Sequence, residues 1–455
     1  MLTYELKKAP GVPLYEALYR CIRADILAGV LEAGQKLPSK RTLCANLQVS
    51  KITVETAYSQ LLAEGYIRSE EKVGYFVESV ARVAPKAPPA AQEITPEVSL
   101  IDLASNGPVH FPFSVWAKLQ REVLLEREAQ LLAPLHNQGL PELRQTIAAH
   151  LGQFRGMTVD PENILIGAGT DFLYNLLVQL LGREKCYGVE EPGYGKIRKI
   201  YTAADCRWVS VPMDKYGVIP EQLGAVDVLH ISPSHHFPTG IITPPSRRQA
   251  LLAWAKAAPG RFIIEDDYDS EFRFDAHPMP AMQNLDGGDH VIYMNTFSKT
   301  LAPSIRISYA VLPTGLMAEF RQKLGFYSCT VPSFQQYTLE KFIRLGFFEK
   351  HINRMRKFYK TRRNRVLGAL LRCPFADKLT VLEENAGLHF LLKVDTDLSD
   401  KALVAFCRET GFRVQALSEF YHNAPPANAR RQLVINYSGL TDQALTQLEE
   451  RLSGD

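Results

Sequence analysis

After about residue 100, short apolar runs alternate with amphipathic helical stretches, and this alternation limits the possible folds more than any other feature of the chain. Alternating strands and helices are typical of an α/β domain with a largely parallel sheet. In such sheets the carboxyl ends of the strands line the ligand crevice, so functional side chains are expected just after the apolar runs. The runs that predict buried strands are 163–166, 228–231, 262–264 and 291–294.

Composition narrows the class of protein. The 455 residues, 46% of them hydrophobic, are enough for a large core and several domains, while the net charge of +3 indicates no particular partner. The seven cysteines include no CxxC or CxxxC pair, so neither a disulfide framework nor a metal site is expected. The chain has no signal-like segment and no apolar run near 18 residues, a length of about one bilayer crossing, which predicts a cytoplasmic protein without a membrane partner.

A stretch rich in Ala and Pro, 80–99, lacks a periodic apolar face and is expected to be an extended linker. It separates a small domain at 1–79 from a large part at 100–455.

Residues 1–79 carry the pattern of a helix-turn-helix followed by a small hairpin. Ser39 and Ser50 are suited to cap two short helices, and the start of the second helix would present side chains to a DNA groove. A three-helix dimerisation domain is the alternative, and charge does not decide, because 1–80 contains ten Lys and Arg against nine acids. The candidate DNA-binding residues are Ser39, Lys40, Arg41, Ser50, Lys51, Thr53 and Arg68.

This segment resembles the GntR family of winged-helix regulators. The resemblance implies a winged helix-turn-helix that binds a double-stranded DNA operator. The small hairpin would be the wing of this fold. It carries two acidic residues, Glu70 and Glu71, which would weaken its contact with DNA. The matching positions are Leu37, Pro38, Ser39, Arg41, Leu43, Ser50, Lys51, Thr53, Val54, Ala57, Tyr58, Leu61, Glu64, Gly65 and Tyr66.

The run 291–294 leads into small hydroxyl residues, one lysine at Lys299 and an arginine at Arg306. A lysine amine is a nucleophile only when deprotonated, and burial together with a neighbouring cation such as Arg306 would lower its pKa. Thr296, Ser298 and Arg306 are suitable donors for a phosphate. The alternative is an ordinary solvated loop lysine.

Three other segments supply complementary groups. A glycine turn at 167–169 precedes a helix that starts at Thr170, which would expose amide donors to a phosphate, although a plain tight turn is the alternative. Tyr194 lies on a loop after a strand. Asp266 and Tyr268 follow the run 262–264, where acids could also be solvated or bind magnesium.

Together these groups are the ones that pyridoxal phosphate requires. Residues 100–455 resemble the class I and II aminotransferases of the aspartate aminotransferase fold, fold type I, with a large domain at about 130–345 and a small domain at about 346–455 plus part of 100–130. The resemblance implies that Lys299 forms the internal aldimine, that Asp266 pairs with the ring nitrogen, that Tyr268 approaches the phenolic oxygen and that Tyr194 stacks on the ring. It assigns the phosphate to Gly169, Thr170, Ser298 and Arg306.

The chain has a GntR-like domain, a Pro-rich linker and an aminotransferase-like domain, in that order. In this order it resembles the MocR/GabR regulators over nearly its whole length. The resemblance implies a transcription regulator that senses pyridoxal phosphate, an amine or an amino acid, built as a homodimer in which each DNA-binding domain crosses to the partner. Two alternatives stay open: a working aminotransferase with an accessory DNA-binding domain, and a regulator whose only effector is the cofactor. Whether a transamination half-reaction occurs is also open.

At two positions the residue in this sequence differs from the one that working aminotransferases carry. Phe237 stands where many of them have an asparagine, a difference that the regulator family tolerates. Val434 stands where the enzymes, and the amino-acid-sensing regulators, usually have an arginine for a substrate carboxylate. Ordinary α-amino acids are therefore expected to bind poorly, unless another cation reaches the site. The candidates are Lys196, Arg198, Arg430 and Arg431.

Overall fold

A computed structural model describes residues 2–4, 6, 13–80, 100–105, 110–274, 279–383 and 387–453. The chain divides into two compact units, Met1–Pro96 and Glu97–Asp455. The predicted linker falls almost entirely on 81–99, outside the described residues. None of the described helices is both long enough and apolar enough to pass through a bilayer. In the same ranges, no group of three or more His, Cys, Asp and Glu side chains is arranged to hold a metal ion.

The N-terminal unit contains the predicted helix-turn-helix and hairpin. Ser39 and Ser50 cap the second and third helices, because their hydroxyls accept the amide hydrogens of Thr42 at 3.1 Å and Thr53 at 3.2 Å. The hairpin places Ile67 opposite Val77, and both pack into the core of the unit. The elements are α1 Leu14–Ala28, α2 Lys40–Leu47, α3 Lys51–Ala63, β1 Ile67–Glu70 and β2 Gly74–Val77.

The C-terminal unit alternates strands and helices, as the sequence pattern predicts. Its strands are β3 Ile101–Asp102, β4 Ile164–Gly167, β5 Cys186–Glu191, β6 Arg207–Asp214, β7 Gly217–Val218, β8 Val228–Ile231, β9 Phe262–Asp266, β10 Val291–Thr296, β11 Ser308–Val311, β12 Leu379–Leu382, β13 His389–Val394, β14 Phe412–Arg413, β15 Gln415–Ala416 and β16 Gln432–Asn436. Its helices are α4 Phe113–Glu126, α5 Glu128–Leu132, α6 Pro141–Arg155, α7 Thr170–Leu181, α8 Gly195–Ala203, α9 Pro245–Lys256, α10 Met282–Asp286, α11 Phe297–Thr300, α12 Thr314–Lys323, α13 Ser333–Arg344, α14 Phe347–Arg372, α15 Asp400–Glu409 and α16 Asp442–Ser453.

The main sheet has eight strands in the order β4-β11-β10-β9-β8-β5-β6-β7. Strands β10, β9, β8, β5 and β6 pair in parallel, while β11 is antiparallel to both β10 and β4, and β7 is antiparallel to β6. The largely parallel sheet is therefore confirmed. Because β4, β5, β8, β9 and β10 run in one direction, their carboxyl ends meet at one edge, and the site lies there.

Apolar side chains cover both faces of this sheet. Leu173 and Leu177 of α7 pack against Ile264 and Ile292 on one face, and Leu251 of α9 belongs to a cluster on the other. Strands buried on both faces explain why the apolar runs are nearly continuous rather than alternating.

A second, antiparallel sheet has the order β12-β13-β16-β15, and α14 packs against α16 beside it. The short strand β3 pairs in parallel with β14, so residues 101–102 lie with the C-terminal segment. The exact division of 100–455 into a large and a small domain stays a prediction.

Candidate functional site

A cavity of about 420 Å³ lies where the carboxyl ends of the parallel strands meet. Seven of the eight residues predicted to bind a cofactor line it. The eighth, Gly169, immediately precedes α7 at the edge of the cavity. The seven are Thr170, Tyr194, Asp266, Tyr268, Ser298, Lys299 and Arg306.

Lys299 lies on the short helix α11, directly after β10, and its side chain lines the cavity. Burial lowers the pKa of the Lys299 amine, and the nearby carboxylates of Asp269 and Asp266 oppose this shift. The expectation that Arg306 lowers this pKa is wrong, because the shift comes from desolvation and the Arg306 guanidinium pairs with Asp171 at 3.3 Å. The lowered pKa increases the share of free, nucleophilic amine.

Asp266 ends β9 with its carboxylate in the cavity wall. Its Oδ2 accepts a hydrogen bond from the hydroxyl of Tyr174 and lies 3.7 Å from Nε2 of His230. Its Oδ1 is buried without a hydrogen-bond partner among the described residues. A buried carboxylate oxygen without a partner is costly, so this atom is suited to pair with a protonated ring nitrogen.

Tyr174 and His230 also belong to the site and were not among the residues predicted from the sequence. Tyr174 lies four residues after Thr170, so the helical period places both on the same face of α7. His230 is a polar residue inside the otherwise apolar strand β8. A buried polar residue in an apolar run could have indicated a functional role from the sequence alone.

The turn at 167–169 and Arg306 form a cradle suited to a phosphate. Gly169 has φ 91°, and a Cβ at this position would overlap the Arg306 guanidinium, so glycine leaves room for the arginine. Nη2 of Arg306 donates to the carbonyl of Ala168 at 3.2 Å. The hydroxyl of Ser298 is buried without a partner in the described residues. An open helix N-terminus, a free hydroxyl and a guanidinium together fit a phosphate group.

Tyr268 and Tyr194 occupy different parts of the cavity. The hydroxyl of Tyr268 lies 3.2 Å from Nδ1 of His235, which lies 2.8 Å from Oδ2 of Asp269. Burial raises the pKa of Tyr268 well above its usual value, so its hydroxyl stays protonated. Tyr194 is half exposed, with its ring edge to face against Phe237 at a centroid distance of 6.0 Å.

Glu190 is a second carboxyl group of the cavity that the sequence analysis did not identify as functional. Burial raises its pKa to about 8, and its Oε2 accepts the amide hydrogen of Ser232 at 3.0 Å. The same oxygen lies 3.5 Å from Nε2 of His236, whose pKa burial lowers to about 3. Both side chains are therefore neutral near pH 7.

Two of the four cations proposed to compensate for Val434 reach the cavity. Lys196 and Arg198 line it, whereas Arg430 and Arg431 are exposed residues outside its lining. Val434 itself is buried in an apolar cluster with Leu391, Leu417, Phe420 and Ala429, against which Phe237 packs.

The predicted DNA-binding residues differ in whether their charged side chains are already in ion pairs or are open to contact DNA. Lys40 pairs with Glu55 at 2.7 Å, and Arg68 pairs with Glu70 at 3.2 Å and Glu78 at 3.5 Å. Arg41 and Lys51 are exposed and form no ion pair within the described residues. Ile52, in the first turn of α3, is 75% exposed, a residue that the sequence analysis missed and that could contact a thymine methyl group.

We expect Arg41→Ala to weaken operator binding and to reduce the slope of log affinity against log salt by about 0.9, because one phosphate contact is lost. Arg68→Ala is expected to have the smaller effect, since Glu70 and Glu78 already neutralise Arg68. Fluorescence anisotropy at several salt concentrations measures both. Arg20→Ala on α1 is the charge-matched control. An unchanged slope for Arg41→Ala would remove Arg41 from the DNA interface.

Two family models match the chain. The model described as bacterial regulatory proteins, gntR family, matches residues 14–77, and the model described as aminotransferase class I and II matches 98–452. The matched ranges correspond to the N-terminal unit and to nearly all of the C-terminal unit.

Similar proteins cover almost the full length. The HTH-type transcriptional regulator YdeL of Bacillus subtilis (strain 168) is 37% identical, over 98% of this chain and 97% of its own. The probable rhizopine catabolism regulatory protein MocR of Rhizobium meliloti is 32% identical, over 97% and 93%. The crystal structure of multiple substrate aminotransferase (MsAT) from Thermococcus profundus has a TM-score of 0.68 at 23% identity, covering 78% of this chain and 91% of that one, and shows the shared fold.

The winged helix, the aspartate-aminotransferase-like fold and the full-length relatives agree with one another. The chain therefore belongs to the aminotransferase class I and II family and, within it, to the HTH-type transcription regulators that carry a gntR-family domain before an aminotransferase-like domain.

Proposed function

We propose that this transcription regulator holds pyridoxal phosphate on Lys299 and that its affinity for operator DNA depends on what occupies the cavity. The observation that carries the proposal is the pair formed by the Lys299 amine, whose pKa burial lowers, and the unpartnered Oδ1 of Asp266 in the wall of the same cavity. A nucleophilic amine and a carboxylate oxygen that lacks a donor are the two groups that the aldehyde and the ring nitrogen of this cofactor require.

The other residues of the cavity support the same assignment. Gly169, Thr170, Ser298 and Arg306 would hold the phosphate, because they combine a helix N-terminus, an unpartnered hydroxyl and a guanidinium. The protonated hydroxyl of Tyr268 would donate to the phenolic oxygen. When bound, pyridoxal phosphate supplies an electrophilic carbon and an electron-withdrawing ring.

Tyr194 would cover one face of the cofactor ring. It is the last residue before α8, it lines the cavity, and its ring is held edge to face by Phe237. An aromatic ring at this position excludes water from one face of a bound aromatic cofactor and adds a stacking contact.

We further propose that the regulator acts as a homodimer. Large apolar side chains of the C-terminal unit are exposed, including Phe113 at 75%, Leu132 at 86% and Phe326 at 75%. Covering such side chains with a second chain would remove apolar area from water, which favours association. A mass near twice the chain mass of 51.1 kDa, measured by light scattering, is expected, and a mass equal to one chain would contradict the dimer.

The experiment that tests the regulatory proposal measures operator affinity for the cofactor-free protein, for the protein loaded with pyridoxal phosphate, and for the loaded protein with a panel of amino acids. We expect a change of affinity at one of the two additions. A change on loading alone identifies the cofactor as the effector, and a change only with an amino acid identifies an amino-acid sensor. Equal affinity in all three states contradicts the proposal. Sustained conversion of an amino acid to its keto acid without any change in affinity would instead support the alternative of an aminotransferase.

A further inference from the structure

Arg198 is a cation of the cavity wall that has no carboxylate partner among the described residues. It lies on α8, four residues after Tyr194, and lines the same cavity. Its Nη1 donates to the carbonyl of Phe420 at 3.3 Å, and no Asp or Glu within the described residues pairs with it. A guanidinium has five N–H donors, so most of its capacity is available to a ligand.

The other cations beside Lys299 in this wall, Lys196 and Arg306, share the single carboxylate of Asp171. Nζ of Lys196 lies 2.6 Å from Oδ2 of Asp171, and Nη2 of Arg306 lies 3.3 Å from the same oxygen. Arg306 is moreover held against Gly169, in the cradle suited to a phosphate. Arg198 is therefore the cation best placed to receive an anionic group that does not belong to the cofactor.

Aromatic residues lie beside Arg198. The ring of Phe420, whose carbonyl accepts from Arg198, packs edge to face on Phe237 at 5.2 Å, and Phe237 contacts Tyr194 in the same way. Phe420 belongs to the apolar cluster that contains Val434, and Phe237 packs against that cluster. A charge-assisted hydrogen bond is stronger in apolar surroundings, and the aromatic wall offers its contact area to an apolar body.

We propose that Arg198 determines specificity by binding the anionic group of the effector, and that the effector is an amino acid with one carboxylate and an apolar side chain. This inference rests on the proposed function, because it places the effector beside a bound cofactor. Lys196 pairs with Asp171, and Arg306 both contacts Asp171 and belongs to the phosphate cradle. A second carboxylate on the ligand therefore has no cation of its own among the described wall residues, and dicarboxylic amino acids bind less well.

The test compares two ligands that differ only in the carboxylate, L-leucine and 3-methylbutylamine, by calorimetric titration of the protein loaded with pyridoxal phosphate. L-Leucine is expected to bind about 10- to 150-fold more tightly than the amine, the range of one charge-assisted hydrogen bond. Arg198→Gln removes this advantage and leaves the affinity for the amine within about twofold. Arg198→Lys keeps part of it, because the charge remains without the planar fork.

Lys199→Gln is the matched control, since Lys199 is the next residue on α8, is exposed and does not line the cavity. It should leave both affinities unchanged. If Arg198→Gln retains the preference for leucine, or if Lys196→Gln abolishes it instead, the role of Arg198 is wrong while the proposed function stands. Tighter binding of L-glutamate than of L-leucine overturns the apolar class of effector. A wild-type protein that takes up no pyridoxal phosphate, as its absorbance reports, overturns the proposed function and this inference with it.

Discussion

A Lys299→Ala variant is expected to lose all covalent attachment of pyridoxal phosphate. The residue supplies the amine of the cavity wall whose pKa burial lowers, whereas Lys196 is exposed and pairs with Asp171. Wild-type protein loaded with the cofactor should absorb above about 400 nm, and borohydride followed by peptide mapping should place the label on Lys299. The variant should show neither signal. It can still bind the cofactor reversibly, because the phosphate cradle of Gly169 and Arg306 is intact.

Lys196→Ala is the informative control for this experiment. It removes the other lysine of the cavity, and we expect the label to remain on Lys299. A label that appears on Lys196 in the wild type, or that persists in Lys299→Ala, would show that the amine has been assigned to the wrong residue.

A Gly169→Ala variant is expected to lose both stability and affinity for pyridoxal phosphate. Its backbone, at φ 91° and ψ 162°, lies in a region that is almost restricted to glycine, so the substitution should cost about 1–3 kcal/mol of unfolding free energy. The added Cβ would also displace the Arg306 guanidinium from the cradle. Loss of a charge-assisted hydrogen bond to the phosphate should lower cofactor affinity by about 10- to 150-fold. Thermal unfolding of the cofactor-free protein and a cofactor titration measure the two effects separately.

Gly156→Ala separates backbone strain from the displacement of Arg306. Gly156 follows α6 with φ 64°, and a Cβ there would meet no atom within 4 Å. We expect this control to lose about 1 kcal/mol of stability, the lower part of the range for a left-handed residue, and to keep normal cofactor affinity. If Gly169→Ala binds pyridoxal phosphate as tightly as Gly156→Ala does, Arg306 does not hold the phosphate.

Local patterns were sufficient to predict the order of the parts and several residues of the cavity wall. Ser39 and Ser50 cap their helices as predicted, because a cap depends on residues only three positions apart. Asp266 and Lys299 come together as expected, because parallel strands bring their carboxyl ends to one edge whichever residues follow them. The apolar runs were therefore enough to predict the fold class and to place Asp266 and Lys299 at the same edge of the sheet.

Pairings between distant residues were decided only by the tertiary structure. Arg306 meets Asp171 across 135 residues of sequence, and the hydroxyl of Tyr174 meets Asp266 across 92, so neither contact leaves a periodic signal. The same holds for the choice of cation near Val434: Arg430 is close to it in sequence but exposed, whereas Arg198 reaches the cavity from α8. Sequence determined which chemical groups this protein has at the ends of its strands. Packing decided which of them are already paired and which are left for a ligand, because pairing depends on distances between elements that are remote along the chain.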